Sequence, residues 1–224
     1  MTNTLHRYGT PESFRDDFVV FAISARGRND RDCAEKLRAF LRLALPHHPV
    51  NLGDASKGAL LRGSTTMTPV AHWRRVHQPD PEAVIRGLDG PTTAAVVFDN
   101  PAALRAFLED VRQADLGLSV NISGLTEEAR QWAAAAGITR HSVEYSLGFH
   151  GPLDRLPDRR ILEITTMCGH GMLSANFVKK MLDWVTEGRR RPEEAVAYMA
   201  RFCTCGVFNP ARAKRLLEAS AGGR

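Results

Sequence analysis

Four residues near the C-terminus have side chains and spacing that suit metal binding. They form two short pairs, Cys168-Gly169-His170 and Cys203-Thr204-Cys205. Thiolates and imidazoles are the donors that hold zinc or iron–sulfur clusters in proteins. In a reducing compartment, such cysteines are better interpreted as ligands or nucleophiles than as disulfides. We therefore predict one centre held by Cys168, Cys203 and Cys205, with His170 as the fourth participant.

The segment between the two pairs predicts that they meet. It contains a helix over about 175–186 and a return helix that starts near Arg191-Pro192. Because an antiparallel helical hairpin brings its two ends together, both pairs should lie at the same end. Ser174 and Asn209 precede helices close to the pairs, and positive helix ends stabilise thiolates.

The surroundings of the two pairs also suit a metal or cluster. Glycine lets the backbone approach anionic sulfur closely, and Gly169, Gly171 and Gly206 flank the pairs. Apolar neighbours would form a dry shell that tunes a cluster: Met167, Met172, Phe202, Val207 and Phe208.

The residues of the centre are compatible with a cluster, with zinc or with no metal. The glycine-rich, apolar setting favours a [4Fe–4S] cluster on three cysteines, with one iron left for histidine or substrate. Zinc bound by three cysteines and one histidine is the alternative, although zinc pairs usually have two to four intervening residues. Without a metal, Cys203 and Cys205 would form a redox dithiol.

Two histidines are candidates for proton transfer. His170 is either a ligand or an acid–base group beside an open metal position. His150, in Gly148-Phe149-His150-Gly151, follows a predicted strand, and strand ends often face an active cleft. Cys33 lies far from the pairs in sequence, at the start of an amphipathic helix, and is expected to be a small buried residue.

These residues lead to three functional hypotheses. The first is an enzyme that uses the cluster as a Lewis acid on a small polar substrate, neutral or anionic, in lyase chemistry or sulfur removal or transfer. The second is a structural zinc site that serves a ligand- or partner-binding domain. The third is electron transfer or cluster delivery. The chain contains no P-loop, G-x-G-x-x-G, G-x-S-x-G or H-E-x-x-H motif, which disfavours common nucleotide-binding and hydrolase functions.

The N-terminal part alternates between strand and helix patterns. Strands are predicted over 18–23, 93–98, 118–122 and 141–147, and helices over 31–45, 81–88, 101–114 and 127–136. Leu52, Ala59-Leu60-Leu61 and Val70 are candidates for further short strands. With about four strands and an irregular middle, the pattern favours an α/β (α+β) sheet with helices, ferredoxin-like or related, over a doubly wound sheet.

A proline-rich connector, 151–158, separates this part from the cysteines. We therefore predict an α/β domain over residues 1–152 and a helical, three-helix cysteine module over residues 153–224.

Bulk properties narrow the class further. The 224 residues carry a net charge of +5 and are 43% hydrophobic, as expected for a globular chain that needs no metal to fold. No secretory signal or membrane-spanning run is recognised, so we expect a cytoplasmic protein without membrane contact. The basic run Arg189-Arg190-Arg191 has no interleaved aromatic residues, which disfavours nucleic acid as a partner. Homo-oligomers remain compatible with the sequence.

Overall fold

The computed structural model describes residues 3–54, 58–59, 80–202 and 205–222. Its strands form one sheet in the order β3-β2-β4-β1-β5, and every neighbouring pair is antiparallel. The strands are β1 (Phe18–Ile23), β2 (Asn51–Asp54), the two-residue β3 (Gly58–Ala59), β4 (Thr93–Phe98) and β5 (Ser119–Ser123). A mixed α/β fold is therefore confirmed, with an antiparallel sheet.

α-Helices account for about half of the remaining described residues. They are α1 (Pro11–Phe14), α2 (Cys33–Ala44), α3 (Pro81–Arg86), α4 (Pro101–Ala114), α5 (Thr126–Ala135), α6 (Arg159–Thr165), α7 (Ala175–Thr186), α8 (Pro192–Ala200) and α9 (Pro210–Ala221). Proline follows the N-cap in α1, α3, α4, α8 and α9, where its missing N–H costs no helical hydrogen bond. None of the helices among the described residues has the length and apolar character needed to cross a membrane.

The central strands are buried on both faces, which explains their uninterrupted apolar sequences. On one face, the even-numbered residues of β1 and β4 pack against α2, α3 and α4. This core includes Phe18, Val20, Val96, Phe98, Leu37, Phe40, Leu104 and Phe107. Strands covered on both sides need no polar alternation, so β1 and β4 read as continuous hydrophobic runs.

The second face of the sheet is covered by the C-terminal helices. Val19, Phe21, Ala95 and Val97 share one core with residues of α6 to α9 and of the loops between them. That core includes Ile164, Met167, Cys168, Val178, Met181, Met199, Cys205, Phe208 and Leu217. Helices thus lie on both sides of the sheet, and the cysteine loops lie inside the second layer. The ferredoxin-like arrangement and the division at residue 152 stay predictions.

Two predicted features are wrong or incomplete. The predicted strand 141–147 has no strand assignment, and its apolar side chains Val143, Tyr145 and Leu147 are 42%, 62% and 87% exposed. Alternating apolar and polar residues are typical of a half-buried strand, but this segment pairs with no strand among the described residues. The sequence also missed α6, whose seven residues are too few to display a clear helical period.

The middle of the chain is described only in part. Leu52 lies in β2 and Ala59 in β3, as the candidate short strands suggested. Leu60, Leu61 and Val70 lie outside the described residues.

Candidate metal centre

Cys168 lies in the turn that follows α6. Thr166 caps that helix, and Gly169 donates its N–H to the Thr166 carbonyl at 2.9 Å. Gly169 has φ +80°, a left-handed conformation that reverses the chain directly after the cysteine. The turn leaves the Cys168 side chain buried in the core between the sheet and the C-terminal helices.

His170 continues from this turn toward α7. Gly171 also adopts positive φ, and Ser174 then caps α7 by accepting a hydrogen bond from the Phe177 N–H at 3.2 Å. Leu173 is buried between them and fixes the loop to the core. His170 is therefore held between two anchored points and remains partly exposed.

Cys205 lies in the second loop, which runs against β2. Gly206 has φ +73°, and a Cβ on it would lie 2.8 Å from the Gly53 nitrogen. Since real Cβ atoms do not approach a backbone nitrogen so closely, only glycine fits between this loop and the strand. The side-chain amide of Asn51 donates to the Phe208 carbonyl at 2.9 Å and holds the same loop on the sheet.

These loops bring Cys168, His170 and Cys205 together. One ligand atom from each of the three residues lies within 4.8 Å of the other two. Both cysteines are buried, and the histidine is partly exposed. The prediction that the two sequence pairs share a site is thus confirmed for these three residues, which are close enough to bind a metal ion.

The group also changes the acidity of a thiol. The pKa of Cys168 is lowered from 9.0 to about 5, chiefly because the Cys205 thiol donates a hydrogen bond to its sulfur. Burial opposes this shift, whereas hydrogen bonds from the side chain and backbone of His170 reinforce it. A thiolate at neutral pH is the form that binds metals and attacks electrophiles.

The predicted dry shell is only partly buried. Met167, Val207 and Phe208 are buried, but Met172 is 54% and Phe202 is 39% exposed. A cavity of about 10 Å³ next to Cys168 is bordered by apolar side chains and Thr165, and this is room for about one water molecule. Apolar side chains thus border Cys168, and two of them, Met172 and Phe202, are open to solvent.

The remaining predicted site residues have different outcomes. Cys203 lies outside the described residues. His150 is exposed, and its Nε2 lies 2.8 Å from the Leu147 carbonyl. It does not belong to the group of three, and its role in proton transfer stays a prediction. Cys33 is buried at the start of α2, as expected for a packing residue.

Sequence reasoning missed a buried ionic cluster behind the centre. Asp17 and Arg212 are fully buried, and Arg7 binds the same carboxylate. Glu163 is also buried, with Oε2 4.0 Å from Arg212. Charged residues at apolar-facing positions have no sequence signature in a single chain. The position of Asn209 before a helix predicts that it caps this helix, but the sequence does not predict its second hydrogen bond, to Asp17.

Comparison with known proteins finds no matching family model, no matching curated protein and no matching solved structure.

Proposed function

We propose that this chain is a metal-binding protein whose centre is held by Cys168, His170 and Cys205. The observation that carries the proposal is that one ligand atom from each lies within 4.8 Å of the others. Cys203, with one residue between it and Cys205, is the proposed fourth ligand on sequence spacing alone.

Zinc is the occupant that these distances support best. Donors bound to one zinc ion at about 2.3 Å for sulfur and about 2.0–2.1 Å for nitrogen stand roughly 3.5–4 Å apart in a tetrahedron. The observed group needs only small side-chain movements to reach that arrangement. Thiolates bound to different irons of a cluster stand farther apart than thiolates that share one ion.

A zinc ion here would fasten the C-terminal layer to the sheet. Cys168 and His170 precede α7, whereas Cys205 lies on the loop that contacts β2 through Gly206. Binding to the folded chain alone would raise the free energy of unfolding. We propose such a structural role for the ion, in a protein whose remaining surface binds a ligand or partner.

The cluster remains the second candidate occupant, because positive-φ glycines and apolar walls surround the thiols. Cys168, Cys203 and Cys205 would then hold a [4Fe–4S] centre. A substrate at the open iron would be a small polar molecule, neutral or anionic, with His170 or His150 moving protons in lyase or sulfur-transfer chemistry. Electron transfer or cluster delivery would need a fourth ligand instead.

Thiol chemistry without a metal is a second candidate function. The hydrogen bond from Cys205 and the low pKa of Cys168 favour this pair over the pair Cys203 and Cys205. A Cys168 thiolate could attack a substrate disulfide, and Cys205 could then resolve the mixed disulfide.

The strand connections support a ferredoxin-like arrangement for the sheet. Without the two-residue β3 and the six-residue helix α3, the chain runs β1-α2-β2-β4-α4-β5 in the spatial order β2-β4-β1-β5. This is the β-α-β-β-α-β sequence of that fold, and we propose it for the layer that carries the centre.

Metal analysis of anaerobically purified chain tests the proposal. We expect about one zinc per chain, loss of the metal in Cys168→Ser, and full retention in Cys33→Ser, which removes a buried thiol outside the group. A brown protein that contains iron and shows charge-transfer absorption would mean that the occupant is the cluster and not zinc. A chain that takes up neither metal, but whose Cys168 exchanges with disulfides at neutral pH, would contradict the metal site and support the thiol function.

A further inference from the structure

We infer that Asp17 is a positioning residue for the metal centre, because its single carboxylate supports both ligand-bearing loops. The inference rests on the proposed metal site. Asp17 lies between α1 and β1, more than 150 residues before the first proposed ligand, and is fully buried. It therefore acts through other residues rather than on the ion itself.

One set of contacts leads from Asp17 to the Cys168 loop. Arg7 binds Asp17 Oδ2, and its Nε donates to the Met167 carbonyl at 3.0 Å. The next residue of the N-terminal segment, Tyr8, donates its backbone N–H to Thr166 Oγ1 at 2.9 Å. These two bonds fix the backbone immediately before Cys168.

A second set of contacts leads to the Cys205 loop. The amide of Asn209 donates to Asp17 Oδ1 at 2.8 Å, and its Oδ1 caps α9 by accepting the Arg212 N–H at 3.0 Å. The Arg212 guanidinium donates to Asp17 Oδ2 at 2.8 Å. Asn209 follows Cys205 by four positions, so the carboxylate determines where this loop ends.

The charges explain why an amide could not replace the carboxylate. Two arginines, Arg7 and Arg212, converge on Asp17 in a buried setting. Arg212 also packs over the Phe14 ring and donates to the Tyr8 carbonyl at 3.0 Å. An asparagine at position 17 would lose the negative charge between the two guanidinium groups. With its oxygen toward them, its NH₂ group would face the donating amide of Asn209, so the hold on both loops would weaken.

The neighbouring Asp16 provides a matched control. Its side chain pairs with Arg215 at 3.0 Å at the surface, with 36% of the side chain exposed. Its backbone carbonyl also accepts a bond from Asn209, which substitution of the side chain leaves in place. Asp16→Asn therefore makes the same chemical change one residue away without disturbing either loop.

The experiment measures the zinc dissociation constant of the full chain by competition with a chromogenic chelator. Circular dichroism at the same temperature verifies that each variant is folded. Substitution of residues that orient metal ligands without touching the ion typically weakens metal affinity by about 10–100-fold. We expect Asp17→Asn to weaken zinc binding by about that factor and Asp16→Asn to leave it within about twofold. The cobalt(II)-loaded Asp17→Asn chain should also show a changed sulfur-to-metal absorption band.

Arg7→Lys keeps the inference testable if Asp17→Asn does not fold. Lysine retains the positive charge beside Asp17 but cannot also reach the Met167 carbonyl as the guanidinium does. We expect weaker zinc binding in this variant too. An unchanged dissociation constant in folded Asp17→Asn, or in Arg7→Lys when Asp17→Asn is unfolded, would overturn the positioning role while leaving the metal site intact. A wild-type chain that binds no zinc or cobalt would overturn the metal site itself.

Discussion

At the scale of single residues, the low pKa of the Cys168 thiol has a consequence that can be measured. Its pKa of about 5 in the folded chain lies far below the usual value of 9.0, mainly because of the hydrogen bond from Cys205. Between these two pH values the folded thiol is ionised, whereas the unfolded thiol holds its proton. Unfolding therefore takes up a proton, and the free energy of unfolding of metal-free protein should rise with pH across this window.

The expected slope from this residue is about 1.4 kcal/mol per pH unit within the window. It should disappear below pH 5, where both states are protonated. Denaturant unfolding of wild type and Cys168→Ser, with chelator present from pH 5 to 9, isolates the contribution as a difference in slope. Identical slopes in the two proteins would show that Cys168 is not an acidic thiol.

Gly206 tests how closely the Cys205 loop approaches the sheet. An alanine there would have to adopt positive φ and place its Cβ 2.8 Å from the Gly53 nitrogen. Gly188 has a similar φ of +70° but has open space around it, so Gly188→Ala reports the backbone strain alone. We expect Gly188→Ala to cost about 1–2 kcal/mol and Gly206→Ala at least about 1 kcal/mol more.

The measurement is the free energy of unfolding of both variants in denaturant. Equal costs would mean that the loop does not contact β2 as closely as the structure shows. The Gly206→Ala chain should also bind metal more weakly, since the substitution displaces the residue next to Cys205.

Residue types and spacing were sufficient to identify most of the centre. Cys168, His170 and Cys205 were predicted because the intervening hairpin had to return, and these three do meet. Asp17, Arg7 and Arg212 could not be predicted in the same way. Arg212 and Asp17 are 195 positions apart, and a single sequence carries no periodic signal for a buried charge.

At the scale of elements, the segment 141–147 shows where periodicity fails. Val143, Tyr145 and Leu147 alternate with polar residues, yet all three side chains are exposed. Alternation reveals which residues could share a face, but it does not supply a neighbouring strand. By contrast, β1 and β4 were predicted correctly because long apolar runs require burial on both sides.

Two leucine substitutions test this correction. Leu147 is 87% exposed, whereas Leu104 of α4 is fully buried. We expect Leu147→Ala to change the free energy of unfolding by less than about 0.5 kcal/mol. Leu104→Ala should cost about 2–5 kcal/mol, because it leaves a cavity under the sheet. A large loss of stability from Leu147→Ala would mean that the segment is packed after all, as the sequence had suggested.

At the scale of the whole molecule, the centre joins two layers that already share a core. The chain has apolar cores on both faces of the sheet, so it should fold without metal. Metal binding should then add stability by mass action. Free zinc at about 100 times its dissociation constant should raise the free energy of unfolding by about 2.7 kcal/mol.

Denaturant unfolding with zinc and with chelator checks this prediction. Cys168→Ser should show no zinc-dependent increase, and Cys33→Ser should show the same increase as wild type. Zinc-dependent stabilisation that survives Cys168→Ser would place the ion elsewhere.

X-ray absorption at the metal edge of the purified chain tests the central claim most directly, because it reports which atoms surround the ion. We predict a single zinc ion with sulfur neighbours at about 2.3 Å and a nitrogen neighbour at about 2.0–2.1 Å, and loss of one sulfur in Cys205→Ser. A metal surrounded only by nitrogen and oxygen, or a sulfur shell unchanged by Cys205→Ser, would contradict the centre formed by Cys168, His170 and Cys205.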